Sequence, residues 1–348
     1  MINNVAPYKT LLTHGFVVDG EGKKMSKSLG NVIKPQEICN KYGADILRLW
    51  VATTDYSAEL NLSKIILDRV IESYRRIRNT LSFLLGNLED FKQQEQININ
   101  NISSIDKYII ILLKNLQKEL ISDYENYNFH QATTKLVNFC SEELGAFYLD
   151  ILKDRLYITK KNGLERKSAQ TALWHITNSL IRLISPILSF TTFEAWKVFE
   201  KTIVSDEKKF FFTLEFYNIP VIDDEHEINK KWKIFREIRA EVVRSIEEKR
   251  SEGIIGSSLE ACIHIKTNSK NFKILDFFKE ELEHLFITSQ VTFEISSELK
   301  NKNLLISVSK SIYRKCLRCW HRNKNVGSLK THQDLCLRCI DILENDKK

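Results

Sequence analysis

Apolar residues recur at alternating steps of three and four along most of the segment from Ser63 to Phe199. This spacing places them on one face of an α-helix, and several such stretches in succession predict an antiparallel helix bundle. We interpret the stripes as buried seams rather than cofactor sites, because packing is the usual reason for an apolar helix face. The seam residues are Ile66, Val70, Tyr74, Ile77, Leu81, Leu84 and Leu88; Tyr108, Ile109, Leu112, Leu116 and Leu120; Leu136, Val137, Cys140, Leu144, Phe147 and Ile151; and Leu173, Ile176, Leu180, Leu183, Ile184 and Ile187.

Shorter elements precede the bundle. Residues 8–18 are predicted to be extended, and the Asp-Gly-Glu-Gly sequence at residues 19–22 is a turn signal. Pro35 suits the first turn of a short helix that ends before Gly43, and a second helix is predicted from Asp45 to Thr53.

Two further sequence signals concern the start of one bundle helix and the connection between two others. Thr191 and Glu194 have the T-x-x-E spacing of a capping box, which predicts that a helix begins there and continues through Trp196 and Phe199. The polar segment 93–104 joins two helices and need not be ordered.

The segment after Pro220 predicts a small α+β domain. It begins with one long helix from Ile228 to about Ser251, which Gly253 ends. Shorter mixed elements follow: a strand at Leu259–Ile265, a helix at Phe272–His284, and strands at Gln290–Ile295 and Leu304–Val308.

Length and composition limit the class of protein. A chain of 348 residues with 43% hydrophobic and 28% charged residues is a globular protein of about two to four domains. The amino end lacks the features of a secretory signal, and the longest apolar runs are too short for a membrane span. We therefore expect a cytoplasmic protein with no membrane partner.

The net charge of +7 is concentrated near the carboxyl end. Residues 309–348 hold ten basic and four acidic residues, an excess of 10 − 4 = +6. This excess favours a polyanion such as nucleic acid as partner, although a solvated basic tail is the alternative. The basic residues are Lys310, Arg314, Lys315, Arg318, Arg322, Lys324, Lys330, Arg338, Lys347 and Lys348, and the acidic ones are Asp334, Asp341, Glu344 and Asp346.

Two C-x-x-C pairs lie in the same tail, Cys316 with Cys319 and Cys336 with Cys339, and sixteen residues separate them. This spacing is typical of four-cysteine zinc sites, and zinc would replace the hydrophobic core that so short a segment lacks. We predict one zinc per chain. Disulfides are the alternative, which a reducing cytosol disfavours.

Other residues of the tail have less specific signals. His321 and His332 are nearby spare ligands, but four sulfurs already complete a tetrahedral structural site. We expect the basic residues Arg318, Arg322, Lys324, Lys330 and Arg338 to decorate a metal-held surface that contacts RNA. Trp320 either stacks on a base or packs against the zinc loop, and we favour packing.

The remaining cysteines, Cys39, Cys140 and Cys262, lie in apolar surroundings and are interpreted as core residues rather than nucleophiles. The strongest catalytic signal is the sequence KKMSKSLGN at residues 23–31. Like charges so close together repel one another, so three lysines on a glycine-flanked loop predict a negatively charged ligand. In nucleotidyl transfer, a mobile ammonium such as that of Lys27 can neutralise charge that develops on phosphate oxygens.

The motif and its surroundings resemble the second half of a bacterial-type isoleucyl-tRNA synthetase, a class I ligase. The resemblance rests on GKKMSKSLGN, GADILRLWVATTDY, SYRRIRNT, PILSFTTFEAW and the terminal CLRCWH…CLRC, and extends from about Ala6 to Cys339. It implies that Lys27 contacts ATP, that Lys24 assists at the pyrophosphate, and that the four cysteines bind zinc. ATP, with Mg²⁺, and isoleucine would be the small substrates, and tRNA(Ile) the partner of a monomer.

The resemblance also implies four domains and a mainly α fold. Residues 1–60 would end a Rossmann-type catalytic domain, and residues 61–220 would form the anticodon-binding bundle. Residues 221–312 would be the small α+β domain and 313–348 the zinc finger. Three arginines on the first bundle helix, Arg75, Arg76 and Arg78, would contact tRNA, unless pairs such as Glu72 with Arg76 make them structural.

The sequence departs from this family at its amino end. The His-x-Gly-His-type signature of the family's Rossmann domain and its editing domain do not occur in residues 1–348. We therefore expect a fragment of a split or truncated gene, or a piece of a longer protein, which cannot form isoleucyl-adenylate alone. The alternative is a non-catalytic tRNA-binding module. The intact capping box, the cysteine pairs and the unbroken helical seams argue against the product of a decayed gene.

Overall fold

The structure, a computed structural model, describes residues 6–203, 210–296, 299 and 303–345. Asp346, Lys347 and Lys348, which contribute to the predicted basic excess, lie outside these residues. The described part of the chain is mainly helical, as predicted, and none of its helices is long and apolar enough to cross a membrane. The helices are α1 Pro35–Tyr42, α2 Ala44–Thr53, α3 Lys64–Gly86, α4 Ser104–Glu125, α5 Phe129–Asn138, α6 Leu149–Tyr157, α7 Leu164–Ile184, α8 Ser189–Phe199, α9 Glu225–Ser251, α10 Ser269–Phe277, α11 Leu282–Phe286 and α12 Leu337–Asn345.

The chain forms two compact units. The first comprises Met1–Gln94, Leu113–Gly145 and Leu173–Ile219, and the second comprises Glu95–Leu112, Ala146–Ala172 and Pro220–Lys348. The predicted bundle contributes to both, because α4 and α7 each begin in the second unit and end in the first. The domain limits inferred from the sequence stay predictions.

In the first unit, two short parallel strands support the lysine-rich segment. Strand β1, Val17–Val18, pairs with β2, Leu60–Asn61. Of the predicted extended segment 8–18, the structure makes only these two residues a regular strand. Just before β1, the backbone at Gly15 lies very close to the backbone at Ala58. A Cβ atom on Gly15 would overlap the Ala58 carbonyl oxygen. Only glycine fits there without movement.

Asp45 on α2 caps helix α8. Its carboxylate accepts hydrogen bonds from the backbone N–H groups of Phe190 (3.3 Å) and Thr191 (2.7 Å) and from the Thr191 hydroxyl (2.6 Å). The predicted capping box is therefore wrong: α8 begins at Ser189, which places Thr191 inside its first turn. A carboxylate from another helix supplies the acceptor that the sequence pattern assigned to threonine.

The third predicted seam belongs to three successive helical segments rather than one. Helix α5 continues into a π-helix at Phe139–Tyr148 and then into α6. The π-helix adds residues per turn and therefore shifts the apolar face. Cys140, Leu144, Phe147 and Ile151 are nevertheless all buried, so the predicted core role of these residues is confirmed.

The segment 93–104, which the sequence does not require to be ordered, has a defined structure. It contains two 3₁₀ turns, Gln93–Glu95 and Ile99–Asn101. Its backbone is attached to α7 within the second unit, because the Ile97 N–H donates to the Thr171 hydroxyl at 3.1 Å. A polar sequence can thus be fixed by specific hydrogen bonds without an apolar seam.

A three-stranded sheet and α9 form the centre of the second unit. The strands are β3 Ala261–Thr267, β4 Gln290–Ile295 and β5 Leu304–Lys310; β3 lies in the middle, parallel to β4 and antiparallel to β5. Helix α9 begins three residues before the predicted start, and all five of its predicted seam residues are buried. They are Trp232, Phe235, Ile238, Val242 and Ile246. The single helix predicted at Phe272–His284 is interrupted, and forms α10 and α11.

A buried ion pair fixes α6 in the second unit. The Asp106 side chain is fully buried and accepts hydrogen bonds from Arg155 (2.6 Å), Ser168 (2.5 Å) and Tyr148 (2.7 Å). Burial alone would raise the pKa of Asp106, but the Arg155 charge and these hydrogen bonds hold the pKa below its usual range. The residue before Arg155, Asp154, is thereby held at a fixed place near the end of α6.

Candidate functional site

The lysine loop, which we define as residues 23–31, follows the tight turn after β1. Within the turn, the Gly22 N–H donates to Asp19 O at 3.0 Å, and the Asp19 N–H donates to Lys23 O at 2.9 Å. Gly22 and Gly30 bracket the loop with φ angles of 78° and 66°, a region that glycine adopts without strain. Glycine therefore lets the backbone turn on either side of Lys27.

The three lysines of the loop are exposed, but their surroundings differ. Lys23 Nζ lies 2.7 Å from Glu21 Oε2, and Lys24 Nζ lies 5.2 Å from the centre of the Phe16 ring. Among the described residues, Lys27 Nζ has no carboxylate within ion-pairing distance. Lys27 is thus the lysine whose charge is most available to a ligand.

Asn31 holds the inner side of the loop. Its Oδ1 accepts a hydrogen bond from the Ser26 N–H at 2.9 Å, and its Nδ2 donates to Asp19 Oδ2 at 2.8 Å and to Lys24 O at 3.3 Å. The Asn31 bond, with those from the backbone of Lys23 and Glu21, lowers the pKa of Asp19 below its usual value. Sequence reasoning missed both residues, although Asn31 stands in the quoted motif and Asp19 in the turn signal.

The four cysteine sulfurs of the tail come together as predicted. All four Sγ atoms lie within 4.8 Å of one another, all four residues are buried, and none forms a disulfide. Cys319 Sγ and Cys336 Sγ are 3.8 Å apart. Sulfurs that share a tetrahedral zinc at about 2.3 Å would be separated by roughly 3.8 Å. The donor set and its spacing therefore fit a zinc ion.

Local backbone geometry presents the two cysteine pairs to each other. Around the first pair, the Cys316 N–H donates to His321 O and the Trp320 N–H donates to Cys316 O, both at 2.9 Å. The second pair lies at the start of α12, where Cys339 is fully buried. The Cys336 N–H donates to Cys316 Sγ at 3.4 Å, which joins the two pairs.

Comparison with known proteins identifies the family. Residues 106–265 match the family model described as "Anticodon-binding domain of tRNA ligase", and residues 1–63 match that described as "tRNA synthetases class I (I, L, M and V)". The chain belongs to the class I tRNA synthetases. This confirms the resemblance that the loop and the tail indicate in the sequence.

Curated relatives are named isoleucine–tRNA ligases. The synthetase chain is 47% identical to that of Janthinobacterium sp. (strain Marseille) over 98% of its own length, and 47% identical to that of Cupriavidus pinatubonensis over 97%. It spans 35% of the length of each of these relatives. A solved LeuRS–tRNA–LeuAMS ternary complex from Agrobacterium radiobacter K84 is a distant likeness, with a TM-score of 0.44 and 15% identity over 81% of this chain and 32% of that one.

All four arginines of the synthetase's cysteine tail, which we define as residues 314–345, have partners within the protein. Arg318 donates to Ile158 O at 2.8 Å, Arg322 pairs with Glu260 at 2.7 Å, and Arg338 pairs with Asp154 at 2.6 Å. The Gly256 N–H and Arg322 lower the pKa of Glu260 to about 2. We expected Arg318, Arg322 and Arg338 to belong to an RNA-contacting surface. This expectation needs correction, because all three are bound to partners within the protein.

Lys324 and Lys330 are the residues of that predicted surface that remain exposed without an ion pair in the described part of the chain. Trp320 is 59% exposed and has a φ of 66°, so our preference for packing against the zinc loop is wrong. Lys315 Nζ lies 4.7 Å from the centre of its ring, which is a cation–π distance.

Of the three arginines on helix α3, two have partners within the protein. Arg76 lies 3.6 Å from Glu72, as the spacing predicts, and Arg78 donates to Glu194 at 3.2 Å and to the Tyr74 hydroxyl at 3.3 Å. Arg75 is exposed. The structural interpretation therefore holds for two of the three arginines.

The three other cysteines do not form a site. Cys140 is buried, and burial raises the pKa of its thiol to about 12, so it is no nucleophile. Cys39 and Cys262 are only half-buried, so they are more exposed than the core residues that we expected them to be.

Proposed function

We propose that this chain is the part of an isoleucine–tRNA ligase that carries the KMSKS loop, the anticodon-binding helices and the zinc finger. The ligase would use ATP to activate isoleucine and would then transfer the aminoacyl group to tRNA(Ile). The observation that carries this proposal is the lysine loop: a defined backbone presents Lys27 with its charge unpaired. The names of the curated relatives support the choice of isoleucine.

The proposed chemistry of the loop follows from where charge develops. When the isoleucine carboxylate attacks the α-phosphate of ATP, negative charge accumulates on phosphate oxygens and leaves with pyrophosphate. Lys27 Nζ would neutralise this charge, with Lys24 assisting at the pyrophosphate and Mg²⁺ accompanying ATP. Ser26 and Ser28, whose hydroxyls are 3.1 Å apart, flank Lys27 and can also donate to phosphate.

Zinc at the four cysteines would have a structural role. Four sulfurs leave no open coordination position, so the ion would fix the tail rather than take part in the reaction. The 3.8 Å separation of Cys319 Sγ and Cys336 Sγ supports this assignment. Cysteine ligands must lose their protons, so zinc binding would weaken as the pH falls.

Binding of tRNA is tested on the chain itself. Purified chain is titrated with tRNA(Ile) and with a non-cognate tRNA at several salt concentrations. We expect tighter binding of tRNA(Ile), and an affinity that falls linearly with salt on logarithmic axes as phosphate contacts are screened. Absence of binding at low salt would contradict the proposal.

Amino-acid activation is tested on a complete enzyme. The chain would replace the matching segment of the Janthinobacterium relative, and isoleucine-dependent ATP–pyrophosphate exchange would be measured. We expect exchange by the chimera and none by the chain alone. A chimera that binds tRNA(Ile) but supports no exchange would favour the alternative, a non-catalytic tRNA-binding module.

A further inference from the structure

Three ligating side chains meet at a second place, outside the four-cysteine cluster. Asp154 lies near the end of α6, His284 in α11, and His321 in the turn after the first cysteine pair, all within the second unit. One ligand atom from each lies within 4.8 Å of the other two. The rings of the two histidines are 5.6 Å apart, edge to face. Their wide separation in the sequence hid this cluster from sequence analysis.

His284 provides the strongest sign that a ligand is needed. Its Nδ1 atom is buried and has no hydrogen-bond partner, and it lies 3.9 Å from Asp154 Oδ2, too far for a hydrogen bond. A buried polar atom without a partner costs about 1–3 kcal/mol, so native structures seldom leave one in place. A cation between Nδ1 and Oδ2 would give His284 Nδ1 the partner that it lacks.

A cavity lies against the two histidines, although Asp154 is not among the residues that line it. His284 and His321 line a cavity of about 180 Å³, together with Glu283, Asn323 and Arg338. A water molecule occupies about 30 Å³ of liquid volume, so an ion and a bound water fit in this space. The walls are polar, which suits a hydrated ion better than an apolar ligand.

Arg338 does not close the site to a cation. A single nitrogen of Arg338 donates to both oxygens of Asp154, at 2.8 and 2.6 Å. A carboxylate has about four lone-pair positions, so Asp154 keeps acceptor capacity on its other side.

The charges around the cavity also favour a dication. Cys319 and Cys336 line the same cavity, and a zinc tetrathiolate would carry two negative charges. Asp154 and Glu283 add one each, against one positive charge each on Arg338 and on Arg318, which contacts Cys339 Sγ at 3.8 Å. The excess of two negative charges equals the charge of one divalent ion. This charge argument rests on the zinc site proposed above, whereas the ligand geometry does not.

We propose that Asp154, His284 and His321 form a second Zn²⁺ site, with water as the fourth ligand. Two imidazole nitrogens and one carboxylate oxygen are a donor set that zinc accepts. Zinc–nitrogen bonds of about 2.1 Å in a tetrahedron require ligand atoms roughly 3.4 Å apart, so the side chains close around the ion by small rotations. The ion connects α6, α11 and the cysteine tail.

The test counts metal ions in the purified chain. After saturation with Zn²⁺ and gel filtration, we expect about two zinc ions per chain, falling to about one in the double variant His284→Gln, His321→Gln. The matched control is His226→Gln, because His226 is 88% exposed on α9 and belongs to neither cluster. Two ions in the double variant, or one in the unchanged chain, would contradict the proposal.

Cobalt distinguishes this site from the cysteine site. Titration of the unchanged, metal-depleted chain with Co²⁺ should show one equivalent with intense sulfur-to-cobalt absorption and a second equivalent with only weak visible bands. The double variant should keep the first and lose the second. Loss of the sulfur-to-cobalt absorption would contradict the four-cysteine site instead. Because the titration of the unchanged chain gives a result by itself, the proposal stays testable if the variant does not fold.

Discussion

The lysine loop and the cysteine tail are both rich in basic residues, yet they use their cations differently. In the loop, Lys27 has no carboxylate partner in the described structure. Asn31 accepts a hydrogen bond from the Ser26 N–H and donates one to Lys24 O, which orders the backbone of the loop. In the tail, Arg322 and Arg338 are paired with carboxylates, and Arg318 donates to a backbone carbonyl. The comparison teaches that a local excess of positive charge in the sequence does not by itself say how many of the cations are left without internal partners.

The largest expected effect concerns the metal that orders the tail. Cys336→Ser removes one of four thiolates, and structural zinc sites of this kind have apparent binding free energies of about 10–16 kcal/mol. We expect the loss of one zinc per chain and rapid proteolysis of the tail. Zinc content and the rate of tryptic cleavage in the tail measure both.

Cys262→Ser is the matched control, because Cys262 is half-buried on β3 and lies outside the cluster. It should keep the zinc and the protease resistance of the tail. A Cys336→Ser chain that has lost its zinc but keeps a protected tail would show that metal does not order this region.

An intermediate effect separates the paired cations of the tail from the free ones. Arg338→Ala removes two charge-assisted hydrogen bonds from Asp154, which is 15% exposed, and should lower the free energy of unfolding by about 1–3 kcal/mol. Lys330→Ala should change it by less than about 0.5 kcal/mol. Urea denaturation in saturating zinc measures both values.

The affinity for tRNA(Ile) should depend on the unpaired Lys330 more than on the paired Arg338. Lys330→Ala should weaken binding of tRNA(Ile) and reduce the salt slope by about one if Lys330 contacts a phosphate. If Arg338→Ala and Lys330→Ala lowered the free energy of unfolding equally, the distinction between paired and unpaired cations would be wrong.

The smallest expected effect is local to the lysine loop. Asn31→Ala removes the acceptor of the Ser26 N–H, and the loss of about 1.4 kcal/mol would speed hydrogen exchange of that amide about tenfold. Native-state hydrogen exchange checks this, with Asn345→Ala on α12 as control. Unchanged exchange at Ser26 would mean that Asn31 does not order the loop.

The sequence predicts features that repeat or stand close together. The seam of α9, the strand at Gln290–Ile295 and the four-cysteine cluster all depend on regular spacing, and the structure confirms each. Features that depend on residues far apart were wrong or missed. The Asp45 cap on α8 joins positions about 145 residues apart, and neither helix contains a pattern that requires the other.

The arginines of the tail show the same limit. Nothing in the sequence around Arg338 indicates that Asp154 is its partner, so its charge was assigned to RNA instead. Trp320 is a related case: its indole is 59% exposed and its φ is 66°, a conformation that sequence propensity does not predict for a tryptophan.

The most direct test of the central claim compares Lys27→Ala with Lys23→Ala in the complete chimeric enzyme. Lys23 is on the same loop, but Glu21 holds its ammonium at 2.7 Å. If Lys27 meets the ATP phosphates, Lys27→Ala should lower the rate of isoleucine-dependent pyrophosphate exchange by about 10²–10³, and Lys23→Ala by far less. Full exchange by the Lys27→Ala enzyme would contradict the account.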